Sequence, residues 1–370
     1  MMSIAIVVSA IVNGRRSAAK IVFLAAGVLA LSAVSWADDS PTSEQRYKNI
    51  QVLRGIPGEE LIPAMDFIDG ALGVQCSFCH GSGRFPEGYE KDDLAAKQTA
   101  RKMMKMMREI NQSSFGGRNV VTCSTCHNGH IRPQSNSPVG TEESLRQARP
   151  AASAGDAALP SADELFAKFD SAIGREADVS KLTSRHIVAT ATTSAGQTSK
   201  TEIFSKPPNL FLQEAGPRRF AYDGKQVWAS VPSPRELTGA DADSIRLPAQ
   251  FYRNLRLRGF YAEARTLRKA GLGEKEAYVV RAALKLSRYT DVLWFDAESG
   301  LLLRRESLSR TVLGESTQVD EFANYREIGG IKVAMDTTRA LPGLAPQKLH
   351  FDLVEFNLPI DDAKFSMPTK

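Results

Sequence analysis

The sequence has few cysteines and no strong excess of charge. It contains four cysteines in 370 residues, and all four fall in two short motifs, so none remains for a structural disulfide. The formal net charge is only +5 at pH 7, and nothing in the sequence is typical of a nucleic-acid-binding protein. Beyond the N-terminus no stretch is long and apolar enough to span a bilayer as a helix. These absences exclude a disulfide scaffold, a nucleic-acid partner and a membrane-spanning helix later in the chain.

The four cysteines belong to two copies of the pentapeptide C-x-x-C-H. The first copy is Cys76-Ser-Phe-Cys79-His80 and the second is Cys123-Ser-Thr-Cys126-His127. This motif is typical of covalent c-type haem attachment, in which each thiol adds to one vinyl group of the porphyrin. The histidine that follows is the proximal ligand of the iron. The sequence therefore predicts two covalently bound haem c groups, with His80 and His127 as iron ligands.

Two other uses of C-x-x-C pairs remain open on the sequence alone. Four cysteines in two pairs can bind zinc, and C-x-x-C pairs can form redox-active disulfides in an oxidising compartment. The two pairs are separated by 44 positions, from Cys79 to Cys123, which is longer than the usual spacing of a zinc ribbon. Neither alternative gives a role to the histidine that follows each pair.

The N-terminus has the pattern of a secretion signal. Arg15, Arg16 and Lys20 precede the apolar run at 21–34, and small residues follow it up to Ala37. We expect cleavage after Ala37; a retained membrane anchor is the alternative. No cysteine stands directly after the apolar run, so we expect no lipid anchor. Because bacteria attach c-type haem outside the cytoplasm, we expect the protein in the periplasm.

A helix bearing a methionine is expected before each motif. In the first helix, one face carries four apolar residues at helical spacing: Leu61, Met65, Ile68 and Leu72. Met65 lies 11 positions before Cys76, and its thioether is a soft ligand that raises the potential of haem iron. The alternative role for this side chain is to fill space in the core.

The second helix is expected to run from Leu94 to about Asn111, capped by Asp92 or Asp93. Its four methionines fall on two neighbouring faces, the first with Met103 and Met106, the second with Met104 and Met107. The solvated side is expected to carry the basic residues Lys97, Arg101, Lys102, Lys105 and Arg108.

Residues 47–133 resemble the family of the cytochrome c subunit of photosynthetic reaction centres. The segments that carry this resemblance are 72–80, 100–111 and 121–129. In that family a helix supplies a methionine to the distal side of most haems. The resemblance therefore implies that Met65 and Met106 are the distal ligands, with Met103 as the competitor of Met106. Photosynthetic members carry four haems, so this chain resembles a half-sized relative, and photosynthesis is not implied.

The rest of the chain predicts a second domain. Residues 134–160 are rich in Ala, Ser, Pro and Gly and predict a flexible linker. A capping box at Ser161 and Glu164 then starts a helix. Strands are expected at 186–193, 202–214, 220–231, 277–286, 291–296, 301–311, 318–328, 331–340 and 348–357.

One helix followed by such strands resembles the half-barrel of periplasmic lipoprotein carriers, on segments 221–228, 293–301 and 324–332. The predicted class is α+β, with a signal peptide at 1–37, a helical dihaem cytochrome domain at 38–133, the linker, and an antiparallel β half-barrel with a leading helix at 161–370. The resemblance implies an apolar ligand or a lipoprotein for the last domain. The alternative is a filled core that only binds a partner.

These features predict electron transfer to a redox partner protein, without catalysis. If each iron has histidine and methionine ligands, neither keeps an open position, and no catalytic constellation surrounds the motifs. A dihaem peroxidase-like enzyme is the alternative, and it requires an acid–base group such as Glu109 or His130. A redox-linked module that binds lipid or lipoprotein through the β domain is the third hypothesis.

Overall fold

The computed structural model describes residues 41–81, 88–133, 159–231, 233–285 and 289–368. The predicted signal peptide lies outside the described residues, and so does nearly all of the predicted linker. Within the described ranges, no helix is both long enough and apolar enough to cross a membrane.

The described residues of the N-terminal part are mainly helical. The helical elements are α1 (Ser43–Arg46), a 3₁₀ turn (Gly58–Glu60), α2 (Leu61–Leu72), α3 (Ser77–His80), α4 (Ala95–Phe115) and α5 (Cys123–His127). As predicted, α2 ends at Gly73, whose left-handed φ of 65° suits glycine. The start predicted for α4 agrees within one residue, since Leu94 occupies the N-cap. The predicted end was wrong, because the helix continues past Asn111 to Phe115 and is followed by Gly116, whose φ is left-handed.

The C-terminal part is a sheet with three helices, α6 (Ala162–Ile173), α7 (Glu176–Val179) and α8 (Gly239–Ala249). The thirteen strands of the described chain are β1 (Arg185–Thr192), β2 (Thr198–Lys206), β3 (Leu210–Ala215), β4 (Arg218–Tyr222), β5 (Val227–Ala229), β6 (Arg235–Leu237), β7 (Tyr261–Leu272), β8 (Lys275–Leu284), β9 (Thr290–Asp296), β10 (Leu302–Thr311), β11 (Gly314–Ile328), β12 (Ile331–Ala340) and β13 (Gln347–Phe356).

The strands form one antiparallel sheet in the order β6-β5-β4-β3-β2-β1-β13-β12-β11-β10-β9-β8-β7. The chain moves outward from β1 to one edge, crosses through α8 to the other edge, and returns to β13 beside β1. The predicted α+β class with an antiparallel half-barrel is confirmed. The strand expected at 202–214 is divided in two, because Pro207 and Pro208 interrupt it and proline lacks the amide that a sheet ladder needs.

The main core lies between α6 and the sheet. Ser161 caps α6 as predicted, accepting a hydrogen bond from the Glu164 amide at 3.2 Å. The apolar stripe of α6 is buried against β7 to β12, and it comprises Leu165, Phe166, Phe169 and Ile173. Burial of such large side chains is the main source of the stability of this part.

The helical part packs against the hairpin between β10 and β11. Leu313, at the tip of this hairpin, is 1% exposed and belongs to the same buried cluster as α2 and α4. The Asn119 side-chain amide donates to the Val312 carbonyl at 2.9 Å. Arg46 also pairs with Asp241 of α8, at 3.2 Å. The helical part is therefore seated on the sheet by apolar and polar contacts.

Candidate haem-binding sites

The first C-x-x-C-H motif forms a single helical turn, Cys76 being the residue before α3. The His80 imidazole donates from Nδ1 to the Tyr89 carbonyl oxygen, at 3.0 Å, since a carbonyl can only accept. This bond fixes the tautomer and leaves Nε2 as the free lone pair, which is how metal-binding histidines are oriented. The Tyr89 ring stacks on the imidazole with centroids 4.6 Å apart.

The second motif has the same arrangement. Its helix, α5, begins at Cys123, and the Thr122 amide donates to Thr125 Oγ1 at 2.9 Å. The His127 imidazole donates from Nδ1 to the His130 carbonyl at 2.9 Å. Both motif histidines therefore present Nε2 for a metal, and the residues fit the proximal half of two c-type haem sites. His130 contributes through its backbone, a role that the sequence did not indicate.

A cavity of about 750 Å³ adjoins the first motif. Its walls include the side chains of Met65, Cys76, Cys79, His80 and Met104. The volume lies within the ~300–1,000 Å³ range of cofactor and small-molecule sites. Met65, the expected distal ligand, thus shares one cavity with the expected proximal histidine. The presence of Met104 in the same cavity was not foreseen.

The environment keeps the groups of the first motif uncharged. Burial, together with a hydrogen bond that its thiol donates to Asp69 at 3.3 Å, raises the pKa of Cys76 to about 11. Burial also raises the pKa of the Cys79 thiol and lowers the pKa of His80. A neutral imidazole is the form that binds a metal.

Acidic side chains lie beside the same cavity. Asp66 follows Met65 on α2, and its pKa is raised to about 6, first by burial and then by the charges of Asp69 and Asp241. Asp92 is in a different situation, because hydrogen bonds from Arg101 and Asn49 hold its pKa well below the usual range. Asp92 therefore fastens the N-terminal turn of α4 to the segment before α2, in place of the cap that the sequence predicted.

The buried face of α4 passes through Met104, Met107 and Asn111. Met107 belongs to the apolar cluster between α2 and α4. By contrast, Met103 is 39% exposed and Met106 is 46% exposed. The two methionine faces predicted for this helix are therefore distinct in the structure. The face with Met104 and Met107 is packed in the core, and the face with Met103 and Met106 is exposed.

Lys97 corrects an expectation. It was predicted on the solvated side of α4, but it is only 9% exposed. Its ammonium donates to the carbonyl oxygens of Tyr89 and Lys91, at 2.7 Å and 2.6 Å. The same Tyr89 carbonyl accepts from His80, so Lys97 helps to hold the loop that orients the first histidine.

Asn111 holds the chain that leads into the second motif. Its side-chain amide donates to the Val121 carbonyl at 2.7 Å, and its oxygen accepts from the amides of Val121 and Val120 at 2.9 Å and 3.2 Å. Asn111 is 2% exposed. Its short polar side chain on the buried face of a helix was the signal, visible in the sequence, that could have revealed this role.

The end of α2 and the residues just after the second motif approach each other closely through their backbones. The Gly129 amide, just after α5, donates to the Ala71 carbonyl at 2.8 Å. Gly73 has a left-handed φ, and a Cβ at this position would collide with the Gly129 carbonyl oxygen. Only glycine satisfies both conditions. The end of α2 and the second motif are therefore held together.

All four cysteines lie in the described residues, where they are free thiols. Over the same residues, no three His, Cys, Asp or Glu side chains gather in a way that could hold a metal ion, so the two pairs do not meet as a four-thiolate zinc site. The acid–base candidates of the peroxidase hypothesis, Glu109 and His130, are both exposed.

Comparison with known proteins confirms the resemblance of the N-terminal part. Residues 9–187 match the family model described as photosynthetic reaction centre cytochrome C subunit. Cytochrome c-554 of Chloroflexus aurantiacus is 34% identical over 87 residues, which cover 22% of this chain and 20% of that protein. The photosynthetic reaction center cytochrome c subunit of Roseobacter denitrificans is 33% identical over 94 residues, 24% of this chain and 25% of that protein. These matches support a haem-containing cytochrome in this part of the chain, which spans a fifth to a quarter of these curated relatives.

Solved structures resemble the C-terminal part. A LolA superfamily protein of Nitrosomonas europaea is 17% identical, with a TM-score of 0.41, over 56% of this chain and 98% of that chain. A DUF1329 family protein of Desulfovibrio piger is 15% identical, with a TM-score of 0.41, over 55% of this chain and 95% of that chain. Neither resemblance carries a function across to this protein.

Proposed function

We propose that this protein is an exported dihaem c-type cytochrome that transfers electrons to or from a periplasmic partner protein. Cys76 and Cys79 would bind one haem covalently, and Cys123 and Cys126 the other. Haem c supplies reversible one-electron exchange at its iron. The observation that carries the proposal is the shared geometry of the two motifs, in which His80 and His127 each donate Nδ1–H to a backbone carbonyl.

We infer that Met65 and Met106 are the distal ligands. Met65 is supported by its place in the cavity that adjoins the first motif. Met106 is supported by the open apolar face of α4, because Met103 and Met106 are exposed there and a haem is a large apolar surface that would cover them. The same helix is tied to the second motif through Asn111 and Val121. A histidine and a methionine at each iron would leave no open position, so the protein would carry electrons and would not activate a substrate.

Basic side chains around the first cavity are suited to haem propionates. Its walls include Arg46, Lys48, Arg101 and Arg235. Arginine binds carboxylates through paired charge-assisted hydrogen bonds. These side chains would orient the porphyrin and offset the charge of its carboxylates.

The test is a redox titration of the wild type, Met65→His and Met106→His, with ferric spectra recorded for each. Methionine ligation stabilises ferrous iron, so both wild-type potentials should exceed those of bis-histidine haem. Each substitution should lower the potential of one haem and remove the contribution of that haem to the weak long-wavelength methionine–iron band. If Met106→His changes nothing while Met103→His lowers a potential, the assignment on α4 is wrong by one turn. If neither matters, the second haem lacks a methionine ligand from α4.

A further inference from the structure

The concave face of the sheet encloses a second cavity, of about 770 Å³. It lies apart from the two motif histidines, although Ile62, Pro63 and Asp66 of α2 close one side of it. Aromatic and aliphatic side chains form much of its wall, among them Phe169, Phe211 and Phe251. This volume and lining suit a molecule of the size of a single-chain lipid.

Unpaired donors are concentrated on this face. In the described part of the chain, four buried side-chain polar atoms have no hydrogen-bond partner: Nε of Arg185, Oγ of Ser205, Nε of Arg253 and Nε of Arg305. The three arginines line the cavity. Ser205 pairs with Arg185 across β1 and β2, so both side chains lie on the same face of the sheet. Buried polar groups are nearly always hydrogen-bonded in folded proteins, so three unpaired Nε donors around one cavity indicate a missing acceptor.

The charges of the cavity are not balanced. Five basic side chains line it, against three acidic ones. Arg253 and Arg305 share one carboxylate, Asp291, at 3.1 Å and 3.7 Å, and the Asp291 carboxylate is also occupied by the hydroxyls of Tyr261 and Ser307. Arg185 has no carboxylate partner among the described residues; its guanidinium lies over the Phe251 ring at 5.1 Å. Burial lowers the pKa of Arg185 to about 10, yet the group stays cationic at neutral pH.

We propose that this cavity binds a single-chain amphiphile with an anionic oxygen head group. The head would accept hydrogen bonds from Arg185, Arg253 and Arg305, and the chain would lie against the aromatic wall. A purely apolar ligand fits less well, because it would leave the Arg185 guanidinium without a carboxylate and the Nε donors of Arg253 and Arg305 desolvated without an acceptor. This inference goes beyond electron transfer and does not depend on it.

The experiment is isothermal titration calorimetry of the mature, haem-loaded protein with three probes, with palmitate kept below its critical micelle concentration. The probes are palmitate, hexadecanol as its neutral analogue, and inorganic phosphate as an anion without a chain. Palmitate should bind at least about tenfold more tightly than hexadecanol, because charge-assisted hydrogen bonds are strong when desolvated. No palmitate binding, equal binding of hexadecanol, or binding of inorganic phosphate as tight as that of palmitate would each overturn the proposal.

Variants then locate the head group. Arg185→Gln should weaken palmitate binding about tenfold and leave hexadecanol binding unchanged, while Arg185→Lys should recover part of the affinity. Arg326→Gln, which removes an exposed arginine of β11 outside the cavity, is the matched control and should have no effect. Equal palmitate affinity in Arg185→Gln and the wild type would contradict the assignment. Because the readout is heat of binding, the result is separate from the haem count and the potentials.

Discussion

Replacing Asn111 by alanine tests how the second motif is positioned. The substitution removes the three hydrogen bonds between the Asn111 side chain and the backbone of Val120 and Val121. A hydrogen bond contributes about 0.5–1.5 kcal/mol net, so three of them amount to roughly 2–4 kcal/mol of local stability. Since about 1.4 kcal/mol is a tenfold change in an equilibrium constant, local opening of this segment should become about 30-fold to several hundred-fold more frequent.

Hydrogen–deuterium exchange read by mass spectrometry on the peptide 112–122, which ends before Cys123, measures this opening directly. Protection of that peptide should fall by the stated factor in Asn111→Ala. Glu109→Ala is the control, because Glu109 is exposed on the same helix and lies outside the peptide. A fall of less than about threefold, or an equal fall in the control, would refute the view that Asn111 clamps the chain before the second motif.

Three further predictions concern the packing of the haem region. Met104→Leu and Met107→Leu should leave both redox potentials and the methionine–iron band unchanged, because leucine keeps the volume of these buried side chains; loss of the band in Met104→Leu would make Met104 the ligand instead of Met65. Proteolysis should cut the chain within 134–160, and in the wild type the haem-containing N-terminal fragment should stay bound to the C-terminal fragment. In the Leu313→Asp variant, which places a carboxylate in the buried cluster, the two fragments should separate in size-exclusion chromatography. The pKa of Asp66 is raised to about 6, so the cost of ionising this carboxyl in the folded protein builds up between about pH 4 and pH 6 and remains in full at higher pH. Asp66→Asn should therefore stabilise the protein at pH 8 in thermal unfolding, and make almost no difference at pH 4.

The sequence was sufficient where local chemistry decides the structure. The C-x-x-C-H motifs, the end of α2 at Gly73 and the cap of α6 at Ser161 depend on a few adjacent residues, and all three are found where the sequence places them. The strands from β8 to β13 follow alternation and turn residues, and they too agree within a few residues with their predicted positions.

The remaining features depend on contacts between distant segments. Lys97 is buried because the carbonyls of Tyr89 and Lys91 come to it, which no helical periodicity can show. The face of α4 that packs in the core is chosen by α2 and Leu313 together. The helix α8 and the edge strand β7 were not predicted, since their weakly periodic sequences gain their structure from the sheet beside them. The buried arginines of the concave face are separated in sequence, and only the fold brings them to one cavity.

The most direct test of the account is the number of covalent haems per chain. The protein should be produced with a c-type maturation system, and haem should be counted by the pyridine haemochrome assay against protein concentration. The two motifs predict two haems in the wild type, one in the Cys76→Ser, Cys79→Ser variant and one in the Cys123→Ser, Cys126→Ser variant. Bound zinc without covalent haem, or a wild type whose count is unchanged by either double substitution, would contradict it.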